Sequence, residues 1–213
     1  MTTAILIPAR YASTRFPGKM MAQLNGVPLI EHVYNRCAGT GYDTYVLTDH
    51  QEIYNYMGGN RCLMTSDADN GTERCMQVID EKLQYDRYIN VQGDMPDITT
   101  DIIKAVEAEL QRSDVATAYT PMDFNLRNDP NCVKMIHNRG RAHWFLRASL
   151  TYGDHHLGIY GYNRESKAMY NISKKFPEED IEKLEQLRWI QNGIKIGVVA
   201  VSYTHLRAHE TRS

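Results

Sequence analysis

The strongest constraint on the fold is a rhythm in the first half of the chain, where short apolar runs alternate with longer segments of helical periodicity. Ala4-Ile5-Leu6-Ile7-Pro8 is the first run, and Thr44-Tyr45-Val46-Leu47, Arg61 to Met64 and Arg87 to Val91 follow it. Each is short enough to read as a buried strand. Between them Pro28 opens a helix with Leu29, Ile30, Val33, Tyr34 and Cys37 on one face. A second helix follows Thr48-Asp49-His50, Thr72 to Leu83 forms a third, and Thr99 to Gln111 forms a fourth with Ile102, Ile103, Val106 and Leu110 inward. This order predicts βαβ units and an α/β fold: a mostly parallel sheet flanked by helices.

From about Val115 the pattern changes. Val115 to Pro121, Cys132 to His137, Ala142 to Phe145 and Leu157 to Tyr162 read as strands joined by short turns, Asn138-Arg139-Gly140 among them. This predicts an antiparallel portion, over about 115–178, added to the parallel sheet. Glu178 to Gln191 reads as one amphipathic helix, with Ile181, Leu184, Leu187 and Ile190 on one side and Gly193 at its C-terminal cap. Lys195 to Val201 is the last strand. The whole of 1–201 reads as a single domain. Residues 202–213 lack apolar periodicity and carry His205, Arg207, His209 and Arg212. They read as a solvated tail or, preferably, as disordered non-native sequence ending a truncated chain.

Charge narrows the range of partners. Lys and Arg number 24 and Asp and Glu 26, for a net charge of -2. That near balance argues against a nucleic-acid coat or a polybasic membrane binder, while leaving room for a local basic pocket. No apolar stretch approaches the roughly 20 residues of a membrane helix, and Met1 to Ala9 lacks the basic start of a signal peptide. Cys37, Cys62, Cys75 and Cys132 form no CxxC pair, and they read as free thiols in a reducing cytoplasm.

The loop after the first strand, Pro8-Ala9-Arg10-Tyr11-Ala12-Ser13-Thr14-Arg15-Phe16-Pro17-Gly18-Lys19, carries Arg10, Arg15 and Lys19 within ten residues. Ligands of open α/β sheets bind beyond the carboxyl ends of the strands. A triphosphate there needs several cations and free N–H groups. A solvated loop with incidental charges is the plainer alternative. The loop is not a P-loop, because Ser13 stands where the first glycine belongs and Met20 follows Lys19. No G-x-G-x-x-G follows a strand, which disfavours a dinucleotide oxidoreductase. Asp94 ends the fourth strand in Gln92-Gly93-Asp94-Met95-Pro96. It suits either a hard cation such as Mg²⁺ or a turn before Pro96.

Taken together, PARYASTRFPGK, Thr48-Asp49-His50, Asn70-Gly71-Thr72-Glu73-Arg74, Asn90-Val91-Gln92-Gly93-Asp94, Leu146-Arg147-Ala148, HLGIYGY (156–162) and LEQLR (184–188) resemble, in order, the 3-deoxy-manno-octulosonate (Kdo) cytidylyltransferase family. The resemblance covers about residues 1–201. It implies a nucleotidyltransferase fold and the reaction of CTP with Kdo to give CMP-Kdo and pyrophosphate, with Mg²⁺, in a cytoplasmic homodimer serving lipopolysaccharide synthesis. By this resemblance Arg10, Lys19 and Asp94 are catalytic, and Asp94 binds the metal. Pro8, Ala9, Arg10, Ser13, Arg15, Lys19, Arg74 and Gln92 hold the nucleotide. Arg147, His156, Tyr160, Glu185 and Gln186 surround the sugar acid. Without the resemblance, Glu185 and Gln186 read as solvated helix positions and His156 as a core histidine.

The chain departs from the family at three places. Met95 replaces a usual acidic residue, and only Leu150 to His155 separate Arg147-Ala148-Ser149 from His156 where the family has a longer loop. A GVDTPEDL-like segment with a second metal-binding Asp is not found after Val201. Two rivals follow: a cytidylyltransferase for a related 2-keto sugar acid, sialic-acid-like or amino-Kdo, and a non-catalytic CTP-binding or dimerisation module.

Overall fold

Residues 1–11 and 18–202 are described by the computed structural model. The expectations for Ser13, Arg15 and the tail beyond Ser202 lie outside the described residues. The chain divides into two units, Met1–Ile103 and Lys104–Ser213.

In the first unit the strands are β1 (Thr3–Pro8), β2 (Gln23–Leu24), β3 (Val27–Pro28), β4 (Asp43–Thr48), β5 (Cys62–Met64) and β6 (Arg87–Asn90). The helices are α1 (Leu29–Ala38), α2 (Gln51–Met57) and α3 (Gly71–Met76), and α4 (Thr100–Glu109) crosses the boundary. β5, β4, β1 and β6 lie side by side in that order, all parallel. Every residue of β1 is buried, as a strand between two helical layers requires. The register Pro8↔Leu47 and Leu6↔Asn90 brings the ends of β1, β4 and β6 to one edge. β2 and β3 form a hairpin whose turn, Asn25-Gly26, has φ of 52° and 79° at its two central residues.

The helix expected over Thr72 to Leu83 ends at Met76. Beyond it Asp80 adopts φ 63° and its N–H bonds the Leu83 carbonyl at 2.9 Å. Val78, Ile79 and Leu83 are therefore buried by a folded turn, which imitates helical spacing in the sequence.

The second unit contains β7 (Val115–Thr120), β8 (Lys134–Asn138), β9 (Arg141–Leu146), β10 (Asp154–Asn163), α5 (Ser166–Ile172), α6 (Pro177–Glu182), α7 (Gln186–Gln191) and β11 (Ile196–Ala200). Its strand order is β10-β7-β11-β9-β8, with a further β10–β8 pairing; only β11–β7 is parallel. The expected antiparallel portion is thus present. The expected helix over Glu178 to Gln191 is two helices. Lys183 sits at φ 56°, ψ 46° between them, and the Leu184 N–H closes back on the Glu179 carbonyl. Ile181 consequently points away from the core and is 76% exposed, while Leu184 and Leu187 stay buried. The expected cap at Gly193 is present: Gly193 and Ile194 return their N–H groups to Ile190 and Trp189. Helix α5 was not anticipated, because its only buried residues are Ser166 and Tyr170. Among the described residues no helix is long and apolar enough to cross a membrane.

Candidate functional site

The loops at the carboxyl edge of the first unit hold the candidate residues of that unit. Pro8 closes β1, and Ala9, fully buried, donates to the Leu47 carbonyl and accepts the Thr48 hydroxyl. The chain emerges from the sheet at Arg10, whose Nη1 reaches the Asp69 carbonyl at 2.8 Å. Tyr11 lies flat on the His50 ring, with centroids 3.6 Å apart. Its carbonyl accepts the Gly18 N–H, so the two ends of the cationic loop are tied together. Lys19 then places Nζ 2.8 Å from Asp94 Oδ2. Both side chains are open to water, at 40% and 44% exposure. Glycine is required at Gly93, where a Cβ would lie 2.8 Å from the Met20 sulfur and 3.1 Å from the Pro8 carbonyl. At Gly71 a Cβ would lie 3.0 Å from the Gln92 amide, so α3 approaches that side chain closely.

Arg74 is placed differently from the other cations. It is wholly buried, and Nη2 bonds Asp49 at 2.6 Å while Nη1 serves the Thr65 hydroxyl and the Ser66 carbonyl. Its Nε is buried without a partner among the described residues. Arg74 therefore ties α3 to two loop segments, at Asp49 and at Thr65–Ser66. Gln92 donates to Asn90 Oδ1 at 3.1 Å. Asn70 caps α3 by accepting the Glu73 N–H, and Glu73 accepts from Asp69 N–H, which fixes the segment that Arg10 touches.

In the second unit β10 is irregular between His156 and Tyr160. The irregularity turns the Ile159 carbonyl onto the Thr117 hydroxyl at 2.6 Å. Thr117 has one proton and gives it to Ile159, so His156 Nε2, 2.9 Å away, must be the donor to Thr117. The imidazole is thereby held with Nδ1 as a lone-pair acceptor. Burial, then His155 and Arg147, push the His156 pKa down to about 3, so the ring is neutral. Tyr160 is buried beside it with centroids 5.3 Å apart, and burial drives its hydroxyl well above the usual range. Arg147 donates Nε to the Glu182 carbonyl and Nη1 to the Pro130 carbonyl, leaving Nη2 without a protein partner among the described residues. Gln186 is 1% exposed, and both amide atoms lack a hydrogen bond among the described residues. A buried amide with neither partner is costly unless a ligand supplies them. Glu185 precedes it at the start of α7 and is half-buried.

The candidates therefore fall into two groups. Pro8, Ala9, Arg10, Lys19, Arg74, Gln92 and Asp94 belong to the first unit, and Arg147, His156, Tyr160, Glu185 and Gln186 to the second. Sequence reasoning assigned no role to Asp49, Thr65, Thr117, Glu182 or Lys134. Of these only Lys134, a lone cation inside an apolar strand run, carried a visible signal. The four cysteines are buried, and burial pushes the Cys37 and Cys62 thiols up to about 12, which leaves no nucleophile there.

Residues 4–196 match the sequence profile of the cytidylyltransferase family. A 3-deoxy-manno-octulosonate cytidylyltransferase of Bartonella henselae is 39% identical, with 92% of this chain and 89% of that protein covered. An 8-amino-3,8-dideoxy-manno-octulosonate cytidylyltransferase of Shewanella halifaxensis is 38% identical, covering 95% and 91%. A solved CMP:2-keto-3-deoxy-manno-octonic acid synthetase complexed with CTP superposes with a TM-score of 0.86 at 32% identity, covering 94% of this chain and 90% of that one. The chain belongs to the 3-deoxy-manno-octulosonate cytidylyltransferase family.

Proposed function

We propose that this protein transfers the cytidylyl group of CTP to the anomeric hydroxyl of Kdo, releasing pyrophosphate. The observation that carries the reading is the exposed Lys19–Asp94 pair at the strand ends, 2.8 Å apart. An exposed pair of this kind is worth at most about 1 kcal/mol, so exchanging it for phosphate and metal costs little. Lys19 and Arg10 then neutralise the triphosphate and the charge that grows on the leaving pyrophosphate. Arg15, Ser13, Pro8, Ala9, Arg74 and Gln92 complete the nucleotide subsite.

The donor set fits a Mg²⁺ ion brought in on the triphosphate rather than one caged by protein. Asp94 is a single accessible carboxylate, and among the described residues no three His, Cys, Asp or Glu side chains gather to hold a metal. Mg²⁺ is commonly held by one or two carboxylates together with substrate phosphates. When bound, the ion neutralises phosphate charge and lowers the pKa of an attacking hydroxyl.

For the sugar acid, Arg147 offers Nη2 to the carboxylate, and the neutral His156 offers Nδ1 to a hydroxyl proton. Gln186 supplies an unsatisfied donor and acceptor, with Tyr160 and Glu185 as neighbours. In the transfer the sugar oxygen bonds the α-phosphorus as the α–β bridging P–O bond breaks, and the hydroxyl proton leaves to solvent. No side chain of these groups acts as a covalent nucleophile, so the transfer is direct and positioning carries much of the rate. The same reading makes the protein a cytoplasmic homodimer.

The relative that acts on the 8-amino sugar acid supports keeping that substrate as the second reading. Product analysis by phosphorus NMR, with CTP, UTP or ATP against Kdo, its 8-amino analogue or a sialic acid, tests both. The proposal expects one phosphodiester product with CTP and Kdo. A product formed only with the amino sugar moves the assignment to the second reading.

A further inference from the structure

Lys134 has no role in the reading above, yet its placement is costly. It opens β8 and is 0% exposed. Charged groups are seldom buried so completely unless a partner compensates them. Its Nζ donates to two main-chain carbonyls, Asp129 at 2.5 Å and Arg147 at 3.1 Å, and to no carboxylate among the described residues.

These bonds close a ring around Arg147. The carbonyls of the consecutive residues Asp129 and Pro130 are taken by Lys134 Nζ and Arg147 Nη1 respectively. Arg147 is held again from the other side, where its amide N–H donates to Glu182 Oε2 and its Nε to the Glu182 carbonyl, both at 2.9 Å. A free arginine side chain loses about 2 kcal/mol of rotamer freedom when a ligand immobilises it. Here main chain and side chain are both fixed beforehand, with Nη2 left over. The ammonium also adds a buried positive charge near one imidazole: His155 lies opposite Lys134 in the β10–β8 register, and burial, followed by the Lys134 charge, lowers its pKa.

We propose that Lys134 is a positioning residue for sugar-acid recognition: by pinning the Arg147 main chain to the Asp129–Pro130 segment, it aims the Arg147 guanidinium at the substrate carboxylate. This rests on the reading of Arg147 as the carboxylate ligand. Calorimetric titration of the full chain with Kdo, and separately with CTP, separates the two claims.

Arg147→Ala weakens Kdo binding and leaves CTP binding unchanged if that reading holds. Lys134→Met, of similar length but without donors, weakens Kdo binding roughly tenfold or more, with the CTP Kd within about twofold of the parent. Lys134→Arg restores donors and charge and recovers part of the loss. A merely structural lysine would instead lower the binding stoichiometry of the preparation with the Kdo Kd unchanged. A Kdo Kd unaltered in Lys134→Met while Arg147→Ala is impaired overturns the Lys134 assignment alone. No effect in Arg147→Ala, or no Kdo binding by the parent, overturns both. If Lys134→Met does not fold, Lys134→Gln decides by itself: shorter and uncharged, it cannot hold both carbonyls and weakens Kdo binding with CTP binding unchanged, and an unchanged Kdo Kd overturns the proposal.

Discussion

Two ionic contacts and one neutral histidine, differing in burial, lead to different outcomes at the residue scale. Lys19–Asp94 is open to water, so Asp94→Asn should change unfolding stability by no more than about 1 kcal/mol. The same substitution should cut kcat roughly a hundredfold or more, because it removes the carboxylate assigned to the metal; steady-state kinetics beside urea unfolding read both numbers. Arg74–Asp49 is the opposite case. Arg74 is 0% exposed, so Asp49→Ala strands a buried guanidinium and should cost about 3 kcal/mol in urea unfolding. His156 gives a pH signature. Its folded pKa of about 3 lies below its ordinary 6.5, so between those values the unfolded chain binds the extra proton. Its contribution to stability is complete above about pH 6.5 and is lost as pH falls toward 3. Urea unfolding of the parent and of His156→Gln across that range should show a shallower pH slope in the variant.

Elements were legible in the sequence wherever burial imposes a period. β1, β4, β5 and β6 lie where the apolar runs put them; β6 ends at Asn90, so Asp94, expected to end that strand, stands four residues beyond it in the following turn. The sequence was least informative where one backbone angle decides. Lys183 at φ 56° splits the expected helix, and nothing in the composition of 178–191 marks a lysine for the left-handed region. Arg188 binds Glu179 across that break through two bonds, 2.8 and 2.6 Å, which holds α7 against α6. Lys183→Gly should therefore be neutral or stabilising by up to about 1 kcal/mol, and the β-branched Lys183→Val destabilising by a similar amount; thermal unfolding of the pair reads the difference. The site was legible in part for the same reason. Arg10 and Asp94 follow shortly after the ends of β1 and β6, a position that local pattern reveals, while Lys19 lies in the segment between β1 and β2. Lys134 and Thr117 gain their roles from carbonyls of Asp129, Arg147 and Ile159, contacts that no periodicity encodes and that for Arg147 and Ile159 span 13 and 42 residues.

On the scale of the whole molecule, the sequence profile match over residues 4–196 spans both units, and the identity of 39% to a Kdo cytidylyltransferase extends over 92% of the chain. The nucleotide candidates belong to one unit and the sugar candidates to the other, so each ligand has its own residues to test. A ligand that binds only the folded state raises apparent stability by about 2.7 kcal/mol at a hundredfold excess over its Kd. CTP should raise Tm accordingly, and Asp49→Ala should lower the starting point without abolishing the shift. The most direct measurement is pyrophosphate release from CTP with Mg²⁺, in the presence and absence of Kdo, by the parent and by Asp94→Asn. The account predicts release that requires Kdo and collapses in Asp94→Asn. A folded parent that binds CTP yet releases no pyrophosphate with Kdo or its 8-amino analogue would contradict it.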